Sequence, residues 1–250
     1  MERRGLLGTL ATALAGAAAG AAGTGGLETY RHEHPAPTDR VSPLVQDGDV
    51  HSPTRILWRG DARQRRVALT FDDGPDPRWT PLALELLARH RARATFFMLG
   101  SAVAQHPETA RAVARAGHEI GNHGWDHRHM DLVPPRELVG LLRRSHDQIV
   151  ATPGAAPTLV RPPYGQFDAA TAWAIAQLGA TIVLWSHRMT ADDPVARARE
   201  VLATAANGMV VLSHDGRGTP TLAQMTAADG LVAALREQGW DFVTVSELVG

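Results

Sequence analysis

Val67-Ala68-Leu69-Thr70-Phe71-Asp72-Asp73-Gly74-Pro75 is the stretch that decides the fold. Residues 67–71 are short, apolar and partly β-branched, which reads as a buried strand, and the adjacent carboxylates Asp72 and Asp73 emerge where burial stops. Parallel α/β folds carry their chemistry at that end of their strands. On this stretch alone a plain strand-end turn fits equally well, because Asp, Gly and Pro all favour turns.

Outward from it the chain alternates short apolar runs with helix signals. Seven runs lie near 67–71, 94–98, 118–121, 158–161, 181–185, 209–213 and 241–245. Between them Thr80-Pro81, Pro107, Pro135, Asp168 and Asp193-Pro194 open helices, while Gly117, Gly179, Asn207-Gly208 and Gly239 close them. The order predicts an α/β parallel barrel with no internal sequence repeat.

Three further segments deliver polar groups at the ends of these runs. Asn122-His123-Gly124-Trp125-Asp126-His127 sets two histidines four apart. If it is the first turn of a helix, both imidazoles share a face and can point at one ion. Imidazole with carboxylate is a normal ligand set for zinc or a similar divalent metal. In a chain with twelve histidines such a pair also arises by chance, so a solvated loop stays open on this segment alone. Arg161-Pro162-Pro163-Tyr164-Gly165 and Leu212-Ser213-His214-Asp215 are the other two.

TFDDGP, H-x3-H, R-x-P-Y-G and L-x-H, in that order, resemble the polysaccharide deacetylases of the NodB-homology class, carbohydrate esterase family four, over residues 65–250. The resemblance implies a distorted (β/α)7 barrel, which the seven runs match. It also implies hydrolysis of an acetyl group by water with a divalent metal. Asp73, His123 and His127 are the expected ligands, and zinc is the expected metal, with cobalt, nickel or manganese as the others. Asp72 is the expected general base, oriented by Arg161. Tyr164 is expected to turn its backbone N–H to the developing oxyanion, and His214 to protonate the departing amine. After Trp185 the chain departs from the family's acidic stretch, so Asp192 is assigned as the carboxylate partner of His214, with Asp193 as a helix N-cap. His187 is a candidate substrate contact, Asp126 a candidate support for a metal-bound imidazole, and Trp125, Trp185 and Tyr164 a candidate sugar-stacking wall. Ser213 and His214 are not read as a serine-hydrolase pair, because neighbours on a strand point to opposite faces and no G-x-S-x-G elbow exists.

Composition narrows the function. The chain has 250 residues, 44% hydrophobic and 20% charged, enough for one full core. A formal charge of −1, with no basic run beyond residues 63–66, argues against nucleic acid. There is no cysteine, so no disulfide framework and no thiolate metal site, and no lysine for Schiff-base chemistry. Arg3-Arg4 before the apolar, small-residue run 6–22 reads as an export signal over residues 1–24, twin-arginine in pattern. Residues 25–64 read as a linker or irregular extension, and 65–250 as the deacetylase domain. The expected protein is an exported monomer of the cell envelope or medium that removes N-acetyl groups from N-acetylglucosamine-containing polysaccharide, peptidoglycan or chitin-like. It touches a membrane only through an uncleaved signal. The alternatives are an O-acetyl esterase on acetylated xylan and a carbohydrate-binding relative without turnover.

Overall fold

The computed structural model describes residues 54–151, 156–218 and 220–250. The export signal and residues 25–53 of the extension lie outside the described residues. Strand β1 (Ile56–Leu57) is followed by β2 (Arg66–Asp72), α1 (Thr80–Arg89), β3 (Ala94–Met98), α2 (Gly100–Gln105), α3 (Pro107–Arg115) and β4 (Glu119–Asn122). Then come α4 (Pro135–Val150), β5 (Leu159–Val160), α5 (Ala169–Ala176), β6 (Thr181–Val183) and β7 (His187–Arg188). The chain finishes with α6 (Pro194–Ala203), β8 (Met209–His214), α7 (Leu222–Glu237), β9 (Asp241–Phe242) and α8 (Val245–Val249).

The strands curl into a distorted (β/α)7 barrel in the order β1-β6-β5-β4-β3-β2-β8-β7, with β9 also pairing β2. Every named strand pair is parallel. β2 is central, paired with β3 on one side and β8 on the other, and its apolar run is buried on both faces as parallel strands require. One cluster, with Phe71, Phe96, Val211 and Leu231, fills the layer between sheet and helices. A second, with Ala68, Phe97, Val183, Val210 and Leu248, plugs the barrel interior.

Helix ends fall where the turn residues place them. Asp168 caps α5 by accepting from the Thr171 N–H at 2.8 Å, and Asp193 caps α6 by accepting from the Ala196 N–H at 2.9 Å. Gly117, Gly179 and Gly239 take positive φ just past helix ends, whereas α6 stops at Ala203 with Thr204 as its C-cap, and Asn207-Gly208, expected to close it, forms instead the turn into β8.

Two further expectations change. The seventh run shrinks to Asp241–Phe242, because Thr244 accepts from the Glu247 N–H and starts α8. The extension also ends earlier than residue 64: β1 pairs with β6, Arg59 bridges Met209, and the Gly60 N–H donates to Gly208 O at 2.7 Å, so residues 54–60 close the seam between β6 and β8. Among the described residues no helix is long and apolar enough to cross a membrane.

Candidate active site

The register β2–β8 sets Asp72 beside His214, and β3–β4 sets Met98 beside Asn122, so four strand ends empty into one cleft. Arg161 leaves β5 fully buried, an expensive place for a guanidinium unless every donor is used. Its Nη1 donates to Asp72 Oδ1 at 2.6 Å and to Thr70 Oγ1 at 2.8 Å, its Nε to Val183 O and its Nη2 to Leu184 O, both at 3.1 Å. Its flat face lies 4.0 Å from the Phe97 ring centre. Asp72 is therefore fixed through one oxygen, while Oδ2 faces His123 Nε2 at 3.8 Å.

Asp73 turns the other way, with φ at 76°. Its Oδ1 lies 3.2 Å from His127 Nε2 and 3.6 Å from His123 Nε2, and the three donor atoms stand within 4.8 Å of one another. His123 Nδ1 is 2.7 Å from the Arg161 carbonyl, which can only accept, so Nδ1 carries the proton and Nε2 presents its lone pair. Asp73 Oδ1 is buried without a hydrogen-bond partner. Burial pushes the Asp73 carboxyl up to about 7, with the Asp72 charge adding. Burial likewise pushes His127 down to about 3 and lowers His123, keeping both imidazoles neutral. Two neutral imidazoles and an orphaned carboxylate oxygen suit a divalent cation, and the residues present fit one.

The histidines do not converge on a helix as expected. Residues 123–129 form a loop, and Gly124 (φ 84°) and His127 (φ 60°) bend it back on itself. The loop is pinned by the Gly100 N–H to Gly124 O at 2.9 Å and by Ser145 Oγ to Gly124 O at 2.8 Å. Among the described residues five non-glycines take left-handed φ, and four of them, Asp73, His127, Tyr164 and Arg217, stand at this cleft. Each costs about 1–3 kcal/mol and persists only where the surroundings hold it.

His214 ends β8, with Thr190 Oγ1 2.9 Å from its Nδ1. Burial lowers its pKa and the Asp72 charge opposes that. Thr190 thus stands where Asp192 was expected. Asp192 is exposed in the bend before α6, because Asp193 must cap that helix and turns the preceding residue outward. Asp126 is also displaced: it accepts from Arg128 Nε at 2.8 Å and supports neither imidazole. His187 is tied into the wall, Nδ1 2.9 Å from Ser186 Oγ. Of the expected stacking wall, Tyr164 is 52% exposed and lies parallel to His129 at 4.1 Å between ring centres, while Trp125 is covered by the Arg144 guanidinium at 3.6 Å.

Sequence reasoning missed Asp215. It is buried and accepts from Thr80 Oγ1 at 2.5 Å, and its other oxygen has no partner. Its N–H donates to Asp72 O at 3.0 Å, and its carboxylate packs so closely on Gly74 that a Cβ there would sit 2.5 Å away. Burial pushes it up to about 7. An acid following a strand-end histidine, in a chain whose central strand β2 runs on into Asp73-Gly74-Pro75, was the available signal.

Fold and site together define a parallel-barrel protein with an acid–histidine centre at its strand ends. A family model described as polysaccharide deacetylase matches residues 59–183, and the chain belongs to the polysaccharide deacetylase, or NodB-homology, family. Peptidoglycan-N-acetylglucosamine deacetylase PgdA of Listeria monocytogenes is 37% identical over 74% of this chain, which spans 39% of that longer protein. A peptidoglycan-N-acetylglucosamine deacetylase of Bacillus cereus is 34% identical over 78% of this chain and 92% of its own length. The crystal structure of the Bc1960 peptidoglycan N-acetylglucosamine deacetylase superposes with a TM-score of 0.74 at 30% identity, over 78% of this chain and 93% of that one.

Proposed function

We propose that this protein is a metal-dependent hydrolase that removes the N-acetyl group from N-acetylglucosamine units of a cell-envelope polysaccharide, peptidoglycan before chitin-like chains. The observation that carries the reading is the Asp73, His123 and His127 cradle lying directly beside the Asp72–Arg161 pair and the end of β8. The names of the relatives support the substrate, and the predicted export signal supports an exported protein working at the envelope.

Asp73, His123 and His127 would hold the metal, zinc by their hardness and number. When bound, a divalent cation supplies Lewis acidity to the acetyl carbonyl oxygen and lowers the pKa of nearby water. Asp72, with Oδ1 committed to Arg161, takes the proton of the attacking water on Oδ2. The Tyr164 N–H donates to the oxyanion that forms on the carbonyl. His214, held through Nδ1 by Thr190, delivers a proton to the amide nitrogen as the carbon–nitrogen bond breaks, releasing acetate and a free amine. Arg161 holds Asp72 in one rotamer throughout, through the bond from its Nη1 to Oδ1.

Mass spectrometry of N-acetylglucosamine oligomers incubated with the purified protein tests this. Loss of acetyl groups, abolished by a chelator and restored by zinc, is expected. Unchanged oligomer masses, or turnover indifferent to the chelator, would overturn it.

A further inference from the structure

Four aromatic rings run side by side from the cradle to the mouth of the cleft, and the last of them has no part in the hydrolytic reading. The His123 and His127 ring centres are 5.1 Å apart at 68°, and Tyr164 meets His127 at 4.5 Å and 75°. His129 closes the row, nearly parallel to Tyr164 at 4.1 Å and 12°. Its own segment places it. Met130 is buried, and the Leu132 N–H donates to His129 O at 3.3 Å, a single 3-10 turn that fixes the backbone on one side of the imidazole. Its Nδ1 also lies 3.7 Å from Asp131 Oδ1.

Tyr164 needs such a neighbour. It takes a φ of 62° and Gly165 follows at 69°, and left-handed backbone at a non-glycine residue lasts only where the surroundings impose it. Behind the turn the backing is firm: a Cβ on Gly165 would lie 2.7 Å from the Trp185 indole, and the Gly165 N–H donates to Pro162 O at 3.0 Å. On the solvent side the phenol is half exposed, and the His129 face is stacked on it. A side chain's rotamers are tied to its own φ and ψ, so a pinned ring also pins the backbone N–H.

We propose that His129 is a positioning residue for the hydrolysis: by stacking on Tyr164 it holds that residue's left-handed turn, and with it the backbone N–H, where the oxyanion forms. The role rests on the hydrolytic reading given to that N–H. Stacking asks for a flat π surface and not for a proton, so another flat ring at position 129 can replace the imidazole.

The test joins kinetics to a probe of the stack that needs no turnover. The chain has two tyrosines, Tyr30 and Tyr164, so the full chain labelled with 3-fluorotyrosine and supplied with zinc gives two fluorine resonances, assigned with Tyr30→Phe. His129→Leu fills the space without a flat ring. It should move the Tyr164 resonance, because the ring current of the imidazole is lost, and leave metal content and circular dichroism as they are. On N-acetylglucosamine oligomers it should lose about tenfold in kcat with KM unchanged, since a donor aimed at the oxyanion acts only in the transition state and is here displaced, not removed. His129→Phe should recover most of that rate. A Tyr164 resonance indifferent to His129→Leu, or an unchanged kcat, would overturn the proposal. So would loss of metal, which would make His129 a support of the ligand loop, a raised KM at constant kcat, which would make it a sugar contact, or an equal loss in His129→Phe. A wild type inert on the oligomers would overturn the hydrolytic reading and this role with it, an outcome distinct from an active wild type with an indifferent variant.

Discussion

Asp72 is held by a buried guanidinium and Asp73 is not, and this difference in surroundings separates two acids that are adjacent in sequence. Asp72→Asn is expected to retain bound metal and lose about 10² to 10⁴ in kcat, whereas Asp73→Asn should lower metal content itself. The reverse pattern in metal analysis would exchange their roles. Because Asp73 titrates at about 7, a cation must displace its proton below that pH. Apparent metal affinity should therefore fall roughly tenfold per unit as pH drops below 7 and flatten above it, with proton release visible in calorimetry across buffers of different ionisation enthalpy. An affinity unchanged between these ranges would remove Asp73 from the ligand set. At this scale the residue types at the site were legible and some partners were not: Asp192 and Thr190 lie two residues apart, and only the turn into α6 decides which of them meets His214.

Two loops lock the site together, one after β2 and one after β8. Thr80 Oγ1 accepts from the Asp76 N–H at 2.8 Å and donates to Asp215, which ties the first turn of α1 to the end of β8. Gly216 presses on the same place, where an added Cβ would lie 2.4 Å from Asp73 O. Gly216→Ala should therefore displace the Asp73 backbone and reduce metal content without changing any charge. Gly140→Ala is the matched control, because its Cβ would meet nothing within 4 Å in the middle of α4 and should raise stability by about 1 kcal/mol through helix propensity. Metal analysis and thermal melting of the two variants distinguish these outcomes, and full metal retention in Gly216→Ala would show that the loops are not coupled. Helix starts and stops were readable because Pro, Asp and Gly act locally. The packing of one loop on another is a contact between residues about 140 positions apart, and no local signal carries it.

At the scale of the molecule, residues 54–60 turn an open sheet into a closed barrel. Deleting them should lower the urea midpoint substantially, since β6 and β8 lose backbone partners and the interior cluster loses Leu57. An unchanged midpoint would make the segment the dispensable linker that its composition suggests. The sequence by itself determined the alternation of strands and helices, the parallel barrel and the polar groups at its strand ends, because apolar period, caps and turn residues are set by neighbours in the chain. The tertiary structure alone decided that β1 closes the seam, that a glycine-bent loop rather than a helix brings His127 to Asp73, and that Asp215 lies buried behind Gly74. Those three depend on which distant backbone lies alongside, a matter of register and close approach that residue identity leaves open.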